Sequence, residues 1–68
     1  MSIARVTEVI SSSKKDFQDA IEKGIERASK TLKGVKGAWV ESQKIEVKDG
    51  KIIEYRVVMK VTFVLNEK

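Results

Sequence analysis

From Ile53 to Leu65, every second residue of the chain is apolar or aromatic: Ile53, Tyr55, Val57, Met59, Val61, Phe63 and Leu65. Side chains of a strand point alternately to its two faces, so this run gives one strand an unbroken apolar face. At about 3.3 Å per residue, residues 52–65 would extend roughly 45 Å, far beyond an ordinary strand. Lys48-Asp49-Gly50-Lys51 stands directly before it. Asp-Gly marks a two-residue hairpin turn, because both positions tolerate positive φ. Residues 38–47 are therefore the partner strand. With Asp49-Gly50 as the loop, Lys48 opposes Lys51, Val47 opposes Ile52, Gln43 opposes Arg56, and Trp39 opposes Lys60.

The remaining elements follow from their own patterns. Residues 3–10 are rich in Val, Ile and Thr and suit a short strand, which Ser11, Ser12 and Ser13 interrupt. Ser13 with Asp16 three residues on resembles a helix-starting cap, and Asp16 suits the positive end of the helix dipole. Residues 16–32 read as an amphipathic helix: Phe17, Ala20, Ile21, Gly24, Ile25, Ala28 and Leu32 recur at three- and four-residue spacing on one stripe. Charged side chains from Lys15 to Lys30 fill the opposite face, where Glu22 and Glu26 can pair with later basic residues. Gly34 ends the helix. Gly24 lies inside the apolar stripe at a cost of about 1 kcal/mol relative to Ala, which close helix–sheet packing explains.

The expectation is an α+β fold: a single β-α-β-β domain over residues 1–68, with a three-stranded antiparallel sheet wrapped on one helix. One helix covers only one face of such a sheet. The other face gathers Trp39, Glu41, Gln43, Ile45 and Val47 with Ile52, Glu54, Arg56, Val58 and Lys60, and it is exposed in a lone chain. That points to subunit contacts, a ligand site, or both. Size argues the same way. A chain of 68 residues with no cysteine and no histidine has a thin core, no disulfide, and no thiolate or imidazole for a zinc, iron or copper site. Association with further copies is the remaining source of buried area.

Several function classes are disfavoured. Without His or Cys most nucleophile–base pairings are missing, and no G-x-S-x-G or S-x-x-K pattern surrounds the serines. The chain reads as non-enzymatic, with no catalytic or dedicated metal residues. Its net charge of +4 is interspersed, and it has only four aromatic residues, unlike the clustered basic and aromatic surface of a nucleic-acid binder. Residues 1–9 contain no apolar leader core, and no apolar run approaches the roughly 20 residues that span a bilayer. A soluble, cytoplasmic protein with no membrane partner is expected.

Three stretches, in order and at compatible spacing, resemble the dodecin family over essentially the whole chain. They are Val6-Thr7-Glu8-Val9-Ile10 followed by Ser11-Ser12-Ser13, then Ala28-Ser29-Lys30-Thr31-Leu32, then Asp49-Gly50-Lys51-Ile52-Ile53-Glu54-Tyr55-Arg56-Val57 through Val61-Thr62-Phe63-Val64-Leu65. The resemblance implies a hollow homododecamer that binds flavin, riboflavin or FMN, for storage. In that family the flavin ring stacks on a tryptophan at the start of strand two, and a glutamine on strand three contacts the ring edge.

Ungapped alignment from the hairpin puts Gly37 at the tryptophan position and Arg56 at the glutamine position. Trp39 stands two residues further on, on the same sheet face and about 7 Å along the strand. Arg56 donates but cannot accept a hydrogen bond, so it suits a phosphate, a carboxylate or an anionic ring. Lys44 falls where many bacterial dodecins carry a basic residue facing ligand phosphate, although the pairing above turns it toward the helix. Gln43, opposite Arg56, is the available donor–acceptor for a ring edge. The candidate flavin-binding residues are thus Trp39, Gln43, Lys44 and Arg56.

Each has a plainer reading. Trp39 can pack in a subunit contact, Arg56 can pair with Glu41 or Glu54, and Gln43 can belong to a wetted polar pair. The alternative function is a flavin-free shell of the same kind, holding another small anion, or a hard cation such as calcium on Glu41, Glu54 or Asp49. A third is a purely structural or partner-binding assembly.

Overall fold

A computed structural model describes residues 3–65 of the chain. Its elements are β1 (Ile3–Ser13), α1 (Phe17–Thr31), β2 (Val35–Lys48) and β3 (Lys51–Leu65). The long alternating strand lies in the middle: the sheet order is β1-β3-β2, with both pairings antiparallel. The hairpin turn forms as the Asp-Gly pair requires, with φ of 54° at Asp49 and 77° at Gly50.

The serine triplet does not interrupt β1. Ser11, Ser12 and Ser13 lie opposite Val57, Arg56 and Tyr55 in the ladder, and that pairing outweighs the weak strand preference of serine. The helix cap is accordingly Asp16 rather than Ser13: its carboxylate accepts the N–H of Asp19 at 2.7 Å. Ser13 does a different task. Its hydroxyl donates to the Asp19 carboxylate at 2.7 Å and accepts the Lys15 N–H at 2.9 Å, tying the end of β1 to the first turn of α1. Lys23 joins at 3.2 Å, so the pairing along the helix starts from Asp19. Glu22 accepts instead from Gln18, at 2.8 Å.

The helix packs its stripe of small residues, Ala20, Gly24 and Ala28, directly onto the sheet. Gly24 is needed there: a Cβ on it would stand 2.6 Å from Met59 Cε and 3.0 Å from Ser11 Cβ. Ala20, Val57 and Met59 form the core, with Val9, Phe17, Ile21 and Ile25 around it. Phe17 meets Tyr55 edge-on at 5.1 Å. Gly34, at φ 78°, turns the chain out of the helix toward β2.

A helix of 15 residues covers only about 22 Å, whereas the molecule is 54 Å long. The hairpin end therefore overhangs the core, and Ile45, Val47, Ile52 and Ile53 are exposed there. Ile53, expected on the covered face, lies beyond the reach of the helix.

Candidate functional site

The face of the sheet away from α1 is bare, and its layout from the hairpin to Trp39 is set by two β-bulges; a third register shift, between Val35 and Gly37, lies at the start of β2. The hairpin starts in the expected register, with Lys48 opposite Lys51 and Val47 opposite Ile52. One residue later β3 carries an extra residue, Ile53, so Glu46 meets Glu54, Ile45 meets Tyr55, Lys44 meets Arg56 and Gln43 meets Val57. Between Val40 and Ser42, β2 carries its own extra residue, Glu41, and the original register returns with Trp39 opposite Lys60. The two insertions cancel.

Within the stretch between them, the side-chain alternation of β2 is inverted, because a one-residue slip turns every side chain to the other face. Two expectations are corrected on this ground. Gln43 does not oppose Arg56; it stands opposite Val57 on the helix side, as does Ile45 opposite Tyr55. Lys44 is on the bare face rather than the helix face, directly opposite Arg56.

Three rows across the strands form the middle of this bare face: Glu8, Lys60 and Trp39; Ile10, Val58 and Ser42; Ser12, Arg56 and Lys44. Trp39 is 53% exposed, so much of its indole is open to a ligand or a neighbour. Beside it the bulge presents Glu41 to the same face, with its carboxylate 3.6 Å from Lys60 Nζ. Gly37 lies on that face two residues before Trp39, and a Cβ there would meet nothing within 4 Å. The space next to the ring is open.

The Arg56 end is different in character. The Glu46 carboxylate lies 3.6 Å from Lys44 Nζ and 3.8 Å from Arg56 Nη1, and Glu54 lies 3.6 Å from Arg56 Nη2. Such half-exposed pairs add little to stability, but they largely cancel the positive field of Lys44 and Arg56. The Ser12 hydroxyl above all, with Arg56 beside it, holds Glu54 below the usual carboxylate range despite some desolvation. Glu46 and Ser12 were not anticipated from the sequence. Both join the cluster through register alone, and register carries no residue-type signal.

The structure thus brings Trp39, Lys44 and Arg56 onto one face and leaves Gln43 on the other. It does not gather the carboxylates proposed for a hard cation. Glu41 pairs with Lys60, Glu54 with Arg56, Asp49 lies in the turn, and no group of three potential ligands forms among the described residues. Also among the described residues, no helix is long and apolar enough to cross a membrane. An open groove of roughly 410 Å³ between α1 and β2 is lined by Ile21, Ile25 and Ser29 of the helix, by Met59, and by β2 over residues 35–40, Trp39 included.

Comparison with known proteins agrees with this architecture. The family model described as Dodecin matches residues 3–66. The dodecin from Streptomyces davaonensis is similar, at 36% identity over 97% of each chain, with a TM-score of 0.92. That from Streptomyces coelicolor is 30% identical, covering 98% of this chain and 96% of its own, with a TM-score of 0.91. A tryptophan-to-phenylalanine variant of the Thermus thermophilus dodecin is 27% identical, covering 98% of this chain and all of its own, at a TM-score of 0.92. No curated protein matches the chain.

Proposed function

The chain belongs to the dodecin family, and on that footing we propose that it is a non-enzymatic flavin-binding protein that stores or sequesters riboflavin or FMN within a hollow homododecamer. The observation that carries the flavin reading is Trp39: a large aromatic side chain, about half exposed, on the uncovered face of the sheet. Stacking on such a ring contributes about 0.5–1.5 kcal/mol beyond burial. Two planar ligands can share a pair of such rings where subunits meet.

Assembly is supported by the poor core of the single chain. Among the described residues the buried apolar ones are Ala20, Ala28, Val57, Met59 and Val61, while Ile3, Val6, Ile10, Trp39, Val40, Ile45, Val47, Ile52 and Ile53 are all exposed. A domain with more large apolar side chains outside than inside gains most of its stability by covering them. The overhanging hairpin end supplies one such surface, and the bare sheet face another.

A second reading, a shell of the same kind without flavin, draws on Arg56 standing where a glutamine is expected and on Lys44 directly opposite it. In its favour these cations suit an anion; against it, Glu46 and Glu54 already compensate them.

The test is a fluorescence titration of the purified protein with riboflavin and with FMN, run together with sizing. Quenching of both flavin and Trp39 emission, saturating at a fixed ratio to an assembly of twelve times 7.7 kDa, is the expected result. Trp39→Ala should remove the quenching and leave the assembly intact. An intact assembly that quenches neither emission at micromolar protein would end the flavin reading and turn the search to anions.

A further inference from the structure

We infer that Glu41 and Lys60, rather than Arg56, supply the hydrogen-bonding edge of the Trp39 site, and that they select a flat ring carrying an imide-type edge. This rests on the flavin reading above and names what would give that site its specificity.

The argument starts from what a flavin edge needs. Its pyrimidine-like ring presents carbonyl, N–H and carbonyl in sequence, so a complementary site must offer an acceptor flanked by at least one donor. Arg56 contains no acceptor. It also stands four residues along β3 from Lys60, which is about 13 Å at 3.3 Å per residue, and it is engaged by Glu46 and Glu54. Gln43, the amide side chain with both functions, is on the other face of the sheet.

Glu41 and Lys60 meet the requirement beside the indole itself. Lys60 is directly opposite Trp39, and opposed residues of a ladder have Cβ atoms about 4.5–5.5 Å apart. Glu41 reaches the same face because the bulge inserts it there; re-aiming a side chain is a common consequence of a bulge. The carboxylate and ammonium are 3.6 Å apart, with 49% and 33% of their side chains exposed. That spacing is an ion pair without a formed hydrogen bond, so both groups keep unused capacity: carboxylate lone pairs and ammonium protons. A ring stacked on Trp39 with its edge toward this pair would donate its N–H to the Glu41 carboxylate and accept a hydrogen bond from the Lys60 ammonium at a ring carbonyl. The open space over Gly37 leaves room for the rest of the ring.

The experiment measures dissociation constants for riboflavin and for N3-methylriboflavin, whose methyl group blocks the N–H, by quenching of Trp39 and flavin emission. It uses the whole assembly of the wild type, Glu41→Ala, Glu41→Gln and Lys60→Met, each checked by sizing. Loss of a hydrogen bond to a charged group typically weakens binding by about tenfold or more. The wild type should therefore bind riboflavin at least about tenfold more tightly than the N3-methyl compound. Glu41→Ala should erase that preference, Glu41→Gln should restore much of it, and Lys60→Met should weaken both ligands. Equal binding of the two compounds to the wild type, or a preference that persists in Glu41→Ala, would overturn the assignment while leaving flavin binding intact. A wild-type assembly that binds neither compound would overturn the flavin reading and this assignment together.

Discussion

Replacing Gly24 with alanine sets two effects of opposite sign against each other. Helix propensity alone makes Gly24→Ala stabilising by about 0.8–1.0 kcal/mol, because alanine loses less backbone freedom on folding. Packing opposes it. The new Cβ would stand 2.6 Å from Met59 Cε and 3.0 Å from Ser11 Cβ, whereas carbon atoms in contact normally sit at about 3.5–4.0 Å. The Met59 methyl is the end of a flexible side chain, but the residue is only 1% exposed and is packed against Ala20 and Val57. Its methyl is hemmed by those core neighbours on one side, while Met59 also borders the groove between α1 and β2. Ser11 is held in the ladder opposite Val57, so relieving that contact shifts β1 as well. Overpacking of this kind costs about 1–3 kcal/mol. The balance is a net loss of about 1 kcal/mol, or a fall of about 4–8 °C in melting temperature for a domain of this size. Thermal unfolding at fixed protomer concentration measures it, since association makes the midpoint concentration-dependent. Shortening the opposing side chain with Met59→Val should make the added Gly24→Ala close to neutral. A single Gly24→Ala that melts several degrees higher would show that propensity wins and that the close approach is not a constraint.

Two further outcomes concern stability. Gly34→Ala should cost more than about 1 kcal/mol in a denaturant midpoint, because φ is 78° and its Cβ would lie 2.6 Å from the Val64 carbonyl oxygen, which is fixed backbone. Gly37→Ala, whose Cβ would meet nothing, should be near neutral, and equal losses at the two positions would refute the distinction. Asp19 is held below the usual carboxylate range, first by the Ser13 hydroxyl and then by Lys23, and Glu54 by the Ser12 hydroxyl and Arg56. A carboxylate whose value is depressed by folding stabilises the fold above its unfolded value and loses that contribution as pH falls through the folded one. The melting temperature should therefore drop below about pH 4, and Asp19→Asn should flatten part of the drop; an unchanged acid slope in that variant would remove Asp19 as a cause.

The elements and their order were legible because each is signalled over a few neighbouring residues. Alternation from Ile53 to Leu65 shows the long strand, three- and four-residue spacing from Phe17 to Leu32 shows the helix, and Asp49-Gly50 shows the turn. Each of these patterns follows from backbone geometry that a short segment settles by itself. The part of the covered face under the helix, Val57, Met59 and Val61, was legible for the same reason, down to Gly24 as the point of close approach.

What the sequence could not show was how far each pairing held along the ladder. Register accumulates from the turn, so one inserted residue redirects every side chain beyond it until another insertion restores the count. The bulges at Ile53 and Glu41 are such a pair, and neither has a glycine or other marker in the chain. Trp39 opposite Lys60 was therefore predicted correctly across two cancelling insertions, while Gln43 and Lys44 between them were each assigned to the wrong face. Ser11, Ser12 and Ser13 make the same point at the other edge, since they are strand residues only because β3 is long enough to pair with them. Local periodicity determined what the elements are. Only the folded sheet, through the packing that places its bulges, decided which side chains share the open face with Trp39.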